Sequence, residues 1–240
     1  MQVNEDFLGR SRISDLGRAF VSDFVRQVAA ALPADSCVLD AGAGECAYKP
    51  LFAHCRYQSV DLAVGEQQWN YAHLDFVAPL HDLPMADATY DAVLCTQVLE
   101  HVANPLECLR ELQRVLKPGG QLFMTVPMAH PEHQVPYDYY RFTSYGLKLL
   151  CEQAGFGELC IAPFGGMFTR WAYELPRAMA IFPGTGWRQG RLGWKGVALF
   201  PLRLAALILI RLTQRLLLAL ERFDHAKDDP FGWRLTARKI

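Results

Sequence analysis

The stretch Cys37-Val38-Leu39-Asp40-Ala41-Gly42-Ala43-Gly44-Glu45-Cys46 constrains the fold more than any other part of the chain. A short apolar run ends in a carboxylate and passes directly into two glycines one residue apart, the pattern of a buried strand that turns sharply at its carboxyl end. Gly42 and Gly44 can take left-handed backbone angles, and neither puts a side chain between the backbone and a bound molecule. A turn of this kind holds a nucleotide-like ligand at a strand tip.

Around it, apolar strand-like runs alternate with helical patterns. Leu16, Phe20, Phe24, Val28 and Leu32 recur at four-residue steps after Ser14, a candidate cap, which predicts an amphipathic helix ahead of the first strand. Strands are expected at 38–40, 57–61, 71–74, 91–95 and 121–126. Pro105 should open a helix that Lys117-Pro118-Gly119-Gly120 ends. A helix at 144–154 and a sixth strand at 157–162 follow. This alternation predicts an α/β chain with a doubly wound, mostly parallel sheet. The tail from Phe231 to Lys239 alternates apolar and polar residues, as a strand does, so 163–230 would be an excursion before that strand. The expected organisation is a cofactor-binding core at 1–162, a basic apolar helical insertion at 163–230 and a returning strand at 231–240.

Two cofactors are compatible with the turn. Gly42-x-Gly44-x-x-Ala47 satisfies the loose dinucleotide fingerprint, so an NAD(P)-dependent oxidoreductase is one reading. Asp40 favours the other, because a carboxylate at the strand tip would repel a pyrophosphate but attract the ammonium and sulfonium of S-adenosylmethionine. Asp61, ending the second strand, can accept hydrogen bonds from a ribose diol with either cofactor.

Downstream, Leu83-Pro84-Met85-Ala86-Asp87 through Asp91-Ala92-Val93-Leu94, then Gln97-Val98-Leu99-Glu100-His101-Val102, then Arg114-Val115-Leu116-Lys117-Pro118-Gly119-Gly120 resemble, in order and spacing, the class I S-adenosylmethionine-dependent methyltransferases. The resemblance runs from about Val38 to Phe156. It implies a seven-stranded Rossmann-like sheet whose last strand runs antiparallel beside the sixth, a transferase activity, and S-adenosyl-L-methionine as cofactor. It carries Asp40, Gly42 and Gly44 to the methionine end, Asp61 to the ribose, and Gln97 to the pocket wall. Asp75 and Asp82, both preceding Leu83-Pro84, are the two candidates for the adenine. Cys46 departs from the pattern, standing where many members have a third glycine. A binding module without turnover remains the alternative from another class.

The acceptor side should lie after the fifth strand, in His130-Pro131-Glu132-His133-Gln134-Val135-Pro136-Tyr137-Asp138-Tyr139-Tyr140-Arg141-Phe142, because ligands in open α/β sheets sit at the carboxyl ends of strands. Deprotonating an alcohol acceptor requires a base. His133 is the first candidate and Asp138 the second, or its orienting partner. His130, Tyr139, Tyr140 and Arg141 would shape the acceptor pocket. The competing reading makes Asp138 and Arg141 a salt bridge that holds the loop. His130 and His133 flank Glu132 without a clear third ligand, so no metal ion is expected. His101 is read as a brace for the loop after strand four.

The chain's net charge of −1 conceals an uneven distribution: between Ile161 and Arg222 there are nine basic and two acidic side chains. Residues 197–220 are mostly Leu, Ile, Val and Ala. On an ideal helix Arg203, Gln214, Arg211, Arg222 and Arg215 share an arc of about 120°. Three readings follow: an interfacial helix on a membrane with arginines toward lipid phosphates, packing on the protein or on a second copy in a homodimer, or a true span. Trp171, Trp187 and Trp194 nearby suit an interface. Nucleic acid is not an expected partner, since large aliphatics dilute the basic residues. The start of the chain has acidic residues and no apolar run, so a cytoplasmic protein is expected, peripheral on the inner face of the membrane if the helix binds there. Seven cysteines without a CxxC pair read as reduced packing residues. Together these point to O-methylation of a small-molecule or lipid-linked acceptor, glycan or quinone-like, at a membrane surface.

Overall fold

The computed structural model describes residues 16–65, 68–181 and 198–240. Ser14, Trp187 and Trp194 lie outside the described residues, as does Val197 at the start of the apolar run. By internal contact the chain divides into two compact units, one formed by Arg18–Phe164 with Phe231–Ile240 and the other centred on Gly165–Pro230.

The larger unit is a seven-stranded sheet flanked by helices. In chain order its elements are α1 (Leu16–Ala31), β1 (Cys37–Ala41), β2 (Arg56–Asp61), β3 (Phe76–Val77), β4 (Tyr90–Thr96), α2 (Pro105–Val115), β5 (Leu116–Pro127), α3 (Ser144–Gln153), β6 (Phe156–Phe164) and β7 (Gly232–Lys239). The strand order is β3-β2-β1-β4-β5-β7-β6. β1 pairs parallel with β2 and β4, and β7 runs antiparallel between β5 and β6. Sequence order reverses between β1 and β4, which makes their carboxyl ends a switch point with an open crevice.

Apolar sequence explains the centre of the sheet. Ala92, Val93, Leu94 and Cys95 of β4 are all buried, as expected of a strand covered on both faces. Leu109 and Leu112 of α2 join Leu122 and Met124 of β5 in the same core. In β7, Trp233, Leu235 and Ala237 are buried while Arg234, Thr236 and Arg238 are partly exposed, so the alternation of the tail is that of a half-buried strand. Trp233 also donates its indole N–H to the Phe142 carbonyl at 3.0 Å. α1 lays Phe20 and Phe24 against Phe164.

Two expected boundaries shift. The third strand lies at Phe76–Val77 rather than 71–74. Residues 70–74 are taken up by turns, in which Asn70 Oδ1 accepts the Ala72 N–H and Tyr71 O accepts the Leu74 N–H. The proline-glycine stop after α2 is absorbed into β5, which starts at Leu116 with an irregularity in its pairing to β4 before Gln121. All seven cysteines are free; Cys46, Cys95, Cys108 and Cys151 are buried, whereas Cys160 is exposed on β6.

The second unit contains α4 (Met167–Glu174), a 3-10 segment at Leu175–Ile181 and the long α5 (Phe200–Leu220). Glu221 Oε2 accepts the Thr169 N–H and Asp224 Oδ2 accepts the Met167 N–H, both at 2.8 Å, so two carboxylates satisfy the open amides at the start of α4. Gly166 is required there, since a Cβ would fall 2.0 Å from Asp224 Oδ2.

α5 packs by a face the sequence does not mark as inward. Gln214 is fully buried and donates to the Ala172 carbonyl at 2.8 Å, and Arg203 is partly buried on the same side. This corrects the expected single basic face: Gln214 finds a backbone partner inside, while Leu202, Leu209, Leu212 and Leu216 are left 56–65 % exposed. Among the described residues no helix is long and apolar enough to cross a membrane, which removes the spanning alternative for them.

Candidate functional site

The glycine turn sits where β1 ends. Gly42 has φ +83° and Gly44 φ +53°, and the Gly42 and Ala43 N–H groups both donate to the Val60 carbonyl. A Cβ on Gly42 would lie 2.3 Å from Val98 Cγ2, so that position is closed to other residues twice over, by backbone angle and by space. Cys46 also has a positive φ, +57°, which accounts for glycine being the more usual residue there. Trp69 was not singled out from the sequence; its ring stands beside Gly44, 3.5 Å from where a Cβ would be.

Asp40 lies beneath the turn, 1 % exposed, and accepts the Tyr57 O–H at 2.6 Å. Burial pushes its carboxyl up to about 7, with the nearby Asp61 adding to the rise and the Tyr57 hydrogen bond opposing it. Asp61 is one strand over, at the tip of β2. Its two oxygens accept the Gly44 N–H at 3.0 Å and the Ala63 N–H at 2.8 Å, so the carboxylate is locked beside the turn. Gln97 follows β4 in the left-handed region and is tied to β5 through its backbone N–H and side-chain amide, both reaching Thr125. The two adenine candidates separate: Asp75 Oδ2 accepts both the N–H and the O–H of Ser59, whereas Asp82 is exposed in a turn whose N–H reaches the Pro79 carbonyl.

The loop after β5 folds back over the end of β4. The Tyr139 and Tyr140 N–H groups donate to the Glu100 carbonyl, and the Tyr140 O–H to that of Ala103. Arg141 grips Asp138 through both terminal nitrogens, at 2.7 and 2.8 Å, and spends its remaining donors on the carbonyls of His130, Pro131 and Tyr140. That bidentate contact holds the Asp138 carboxyl well below the usual carboxylate range. Asp138 in turn accepts the His133 N–H at 2.8 Å and lies 3.3 Å from His133 Nδ1. The salt-bridge reading is what the geometry contains, a loop clamp, and the same carboxylate borders the His133 imidazole.

Three histidine rings converge there. His133 lies 4.7 Å from His101 and 4.5 Å from His130 between ring centroids. Burial lowers the pKa of all three, so they are neutral near pH 7. Beneath them Glu100 is fully buried, and burial raises its carboxyl to about 8. Glu100 was legible as the residue before His101 at the end of β4, but its convergence with a loop some thirty positions away was not.

A cavity of about 270 Å³ lined by Leu32, Pro33, Asp91, Lys117 and neighbours opens at the amino ends of β1 and β4, opposite the turn, and plays no part in this site.

Residues 39–124 match the family of the methyltransferase domain. A thiol S-methyltransferase of Rattus norvegicus is 48% identical over 48 residues, 20% of each chain. A ubiquinone/menaquinone biosynthesis C-methyltransferase of a Geobacter species is 31% identical over 131 residues, 52% of this chain and 50% of that one. The chain thus spans half the length of these relatives or less. Among solved structures, the N1-methyltransferase of 1,6-didemethyltoxoflavin from Burkholderia thailandensis, solved with S-adenosylhomocysteine, superposes with TM-score 0.53 at 18% identity over 92% of this chain and 79% of that one. The cyclase SpnF superposes with TM-score 0.57 at 20% identity over 91% and 81%. Likeness at such identity speaks for the fold alone, and a cyclase within it illustrates that fold does not dictate reaction. The family match lies across the glycine turn, Asp61 and β4, and with the strand order around them it makes residues 39–124 a methyltransferase domain on the class I S-adenosylmethionine-dependent fold.

Proposed function

We propose that the chain transfers the methyl group of S-adenosylmethionine to an oxygen of a small or lipid-linked acceptor, glycan or quinone-like, at the inner surface of a membrane. The glycine turn carries this reading. Gly42 is open to no other residue, and a locked carboxylate, Asp61, stands at the next strand tip, an arrangement suited to holding a ribose and an amino-acid end side by side. Asp40, Gly42, Gly44, Asp61 and Gln97 would hold the cofactor, with Asp82 toward the adenine. When bound, it supplies a methyl group already activated by a sulfonium.

The protein's task is then orientation and exclusion of water, and orientation alone is worth ~7–11 kcal/mol. The relatives are named for transfer to sulfur, carbon and nitrogen, so the choice of oxygen rests on the histidine cluster. An alcohol must lose its proton, and neutral imidazoles held by backbone carbonyls can receive it. His133, positioned by the permanently charged Asp138, is the member assigned that role in the free protein. Tyr139 and Tyr140, both exposed, and His130 and Arg141 would border the acceptor.

The membrane surface is supported by α5. At about 100° per residue, Arg211, Arg222 and Arg215 lie within about 40° of one another, and Ile208, Leu212, Leu216, Leu209 and Leu202 sweep roughly the next 120°. All of these apolar side chains are more than half exposed. A basic flank beside an apolar sector is what an interfacial helix presents to anionic lipid.

Tritiated methyl transfer from S-adenosylmethionine into membrane and soluble extracts, with identification of the labelled product, tests the whole reading. Label in a lipid-linked alcohol supports it; label on nitrogen, or none with cofactor bound, removes the acceptor assignment. Calorimetry with S-adenosylhomocysteine should show binding that weakens tenfold or more in Asp61→Ala, by loss of two charge-assisted contacts.

A further inference from the structure

Glu100 presents a problem that methyl transfer does not solve. Its side chain is fully buried, and neither carboxylate oxygen has a hydrogen-bond partner. A buried carboxyl with no donor is costly, and native structures seldom tolerate one without a reason. Arg141 is close enough to favour the charged form of Glu100 but has no N–H left to give it. Arg141 has five N–H donors, and Asp138, His130, Pro131 and Tyr140 account for them all.

What does face Glu100 is a set of lone pairs. His101 Nε2 lies 3.9 Å from Glu100 Oε1 and is itself buried without a partner. The ligand atoms of Glu100, His101 and His133 all lie within 4.8 Å of one another. Even with the carboxyl protonated, the 3.9 Å between Glu100 Oε1 and His101 Nε2 is too long for a hydrogen bond, so both buried groups stay unsatisfied without something between them.

The other ring nitrogens show how the histidines are set. His101 Nδ1 is 2.5 Å from the Tyr137 carbonyl, and His133 Nδ1 is 3.1 Å from that of Pro131. A carbonyl only accepts, so each Nδ1 carries the hydrogen and donates it, leaving Nε2 with its lone pair free. Metal-bound histidines are fixed in this way, the distal N–H donated to a carbonyl or carboxylate. His133 is further steadied by Asp138, itself clamped by Arg141, which places a supporting shell behind the first.

We propose that Glu100, His101 and His133 form a binding site for a divalent transition-metal ion of the zinc class. Two imidazoles and one carboxylate are a ligand set of zinc centres that keep a fourth position open. Ligands at zinc bond lengths stand about 3.4 Å apart in a tetrahedron, so the 3.9 Å between Glu100 and His101 closes by about half an ångström and the widest pair, within 4.8 Å, by up to about 1.4 Å. The open position suits water or an acceptor oxygen. With an ion in place His133 would be a ligand and so unavailable as a base, and the ion would lower the pKa of an oxygen bound at the open position. The binding site itself does not depend on what the acceptor is.

The test is made on the full chain, stripped with EDTA and titrated with Zn²⁺ against a competing chelator, and separately with Co²⁺ read by visible absorption. The expected result is one ion per chain, with the Co²⁺ bands of nitrogen and oxygen ligation. Glu100→Gln and His133→Gln should each weaken binding by roughly a hundredfold or more, ligands exceeding the 10–100-fold typical of their supporting residues. Calorimetry with S-adenosylhomocysteine, unchanged in both variants, shows that they are folded. The proposal is overturned by an absence of stoichiometric binding in the parent chain, by equal affinity in folded variants, or by thiolate-to-cobalt bands placing the ion on cysteine. Failure of S-adenosylhomocysteine binding in the parent chain would instead count against the methyl-transfer reading and leave the metal result standing.

Discussion

A methyl group added at Gly42 would stand 2.3 Å from Val98 Cγ2, on a backbone held at φ +83°. Gly42→Ala should therefore cost about 2 kcal/mol from the left-handed backbone and the displaced valine, a fall in melting temperature of roughly 4–8 °C, together with weakened S-adenosylhomocysteine binding. A melting temperature within a degree of the parent would show that the turn relaxes freely. Asp40 makes a second prediction, through pH. Its folded pKa, about 7, is raised above an unfolded value near 3.8, so the folded chain holds the proton longer. Stability from this group is present below the unfolded value and is lost as pH rises toward 7, by an amount on the order of 4 kcal/mol as an upper bound. Asp40→Asn should flatten that slope and be the more stable chain at pH 8 without cofactor, while losing the rise in S-adenosylhomocysteine affinity that ionisation gives the parent. An unchanged pH profile of chemical denaturation would exclude the group as its source. The identity of both residues was legible in the sequence because backbone angle and charge are local properties. That Asp40 lies beneath the turn against Tyr57 was not, since the partner comes from a neighbouring strand.

At the scale of elements, periodicity located helices and central strands well because burial imposes it directly. The third strand was misplaced by a few residues because it is only two residues long, too short for any period to register. In the second unit, α4 begins with no side-chain cap of its own and borrows two carboxylates from beyond α5. Asp224→Ala should cost about 1 kcal/mol, as loss of a capping carboxylate does, and urea denaturation followed by circular dichroism would register it. A midpoint equal to the parent's would mean that solvent satisfies the Met167 amide equally well. No motif in the sequence connects positions 167 and 224, and a borrowed cap is invisible to local reading.

For the whole molecule, the exposed apolar sector of α5 is the surface on which the membrane proposal and the homodimer reading are distinguished. Leu209→Glu with Leu216→Glu should abolish sedimentation with phosphatidylserine-containing vesicles while leaving S-adenosylhomocysteine affinity unchanged. If the parent chain fails to bind such vesicles but sediments as a dimer that the double variant dissociates, the surface belongs to a homodimer instead. The sequence by itself determined the α/β class, the glycine turn, the order of the family motifs and a basic apolar insertion, because each is written in contiguous residues or a fixed period. Tertiary structure alone decided which face of α5 turns inward, since one buried amide, Gln214, outweighs the pattern by finding the Ala172 carbonyl. It alone also brought Glu100 and His101 from the end of β4 together with His133 from the loop after β5. Those residues are distant in sequence and adjacent in space because parallel strands deliver their carboxyl ends to one edge of the sheet.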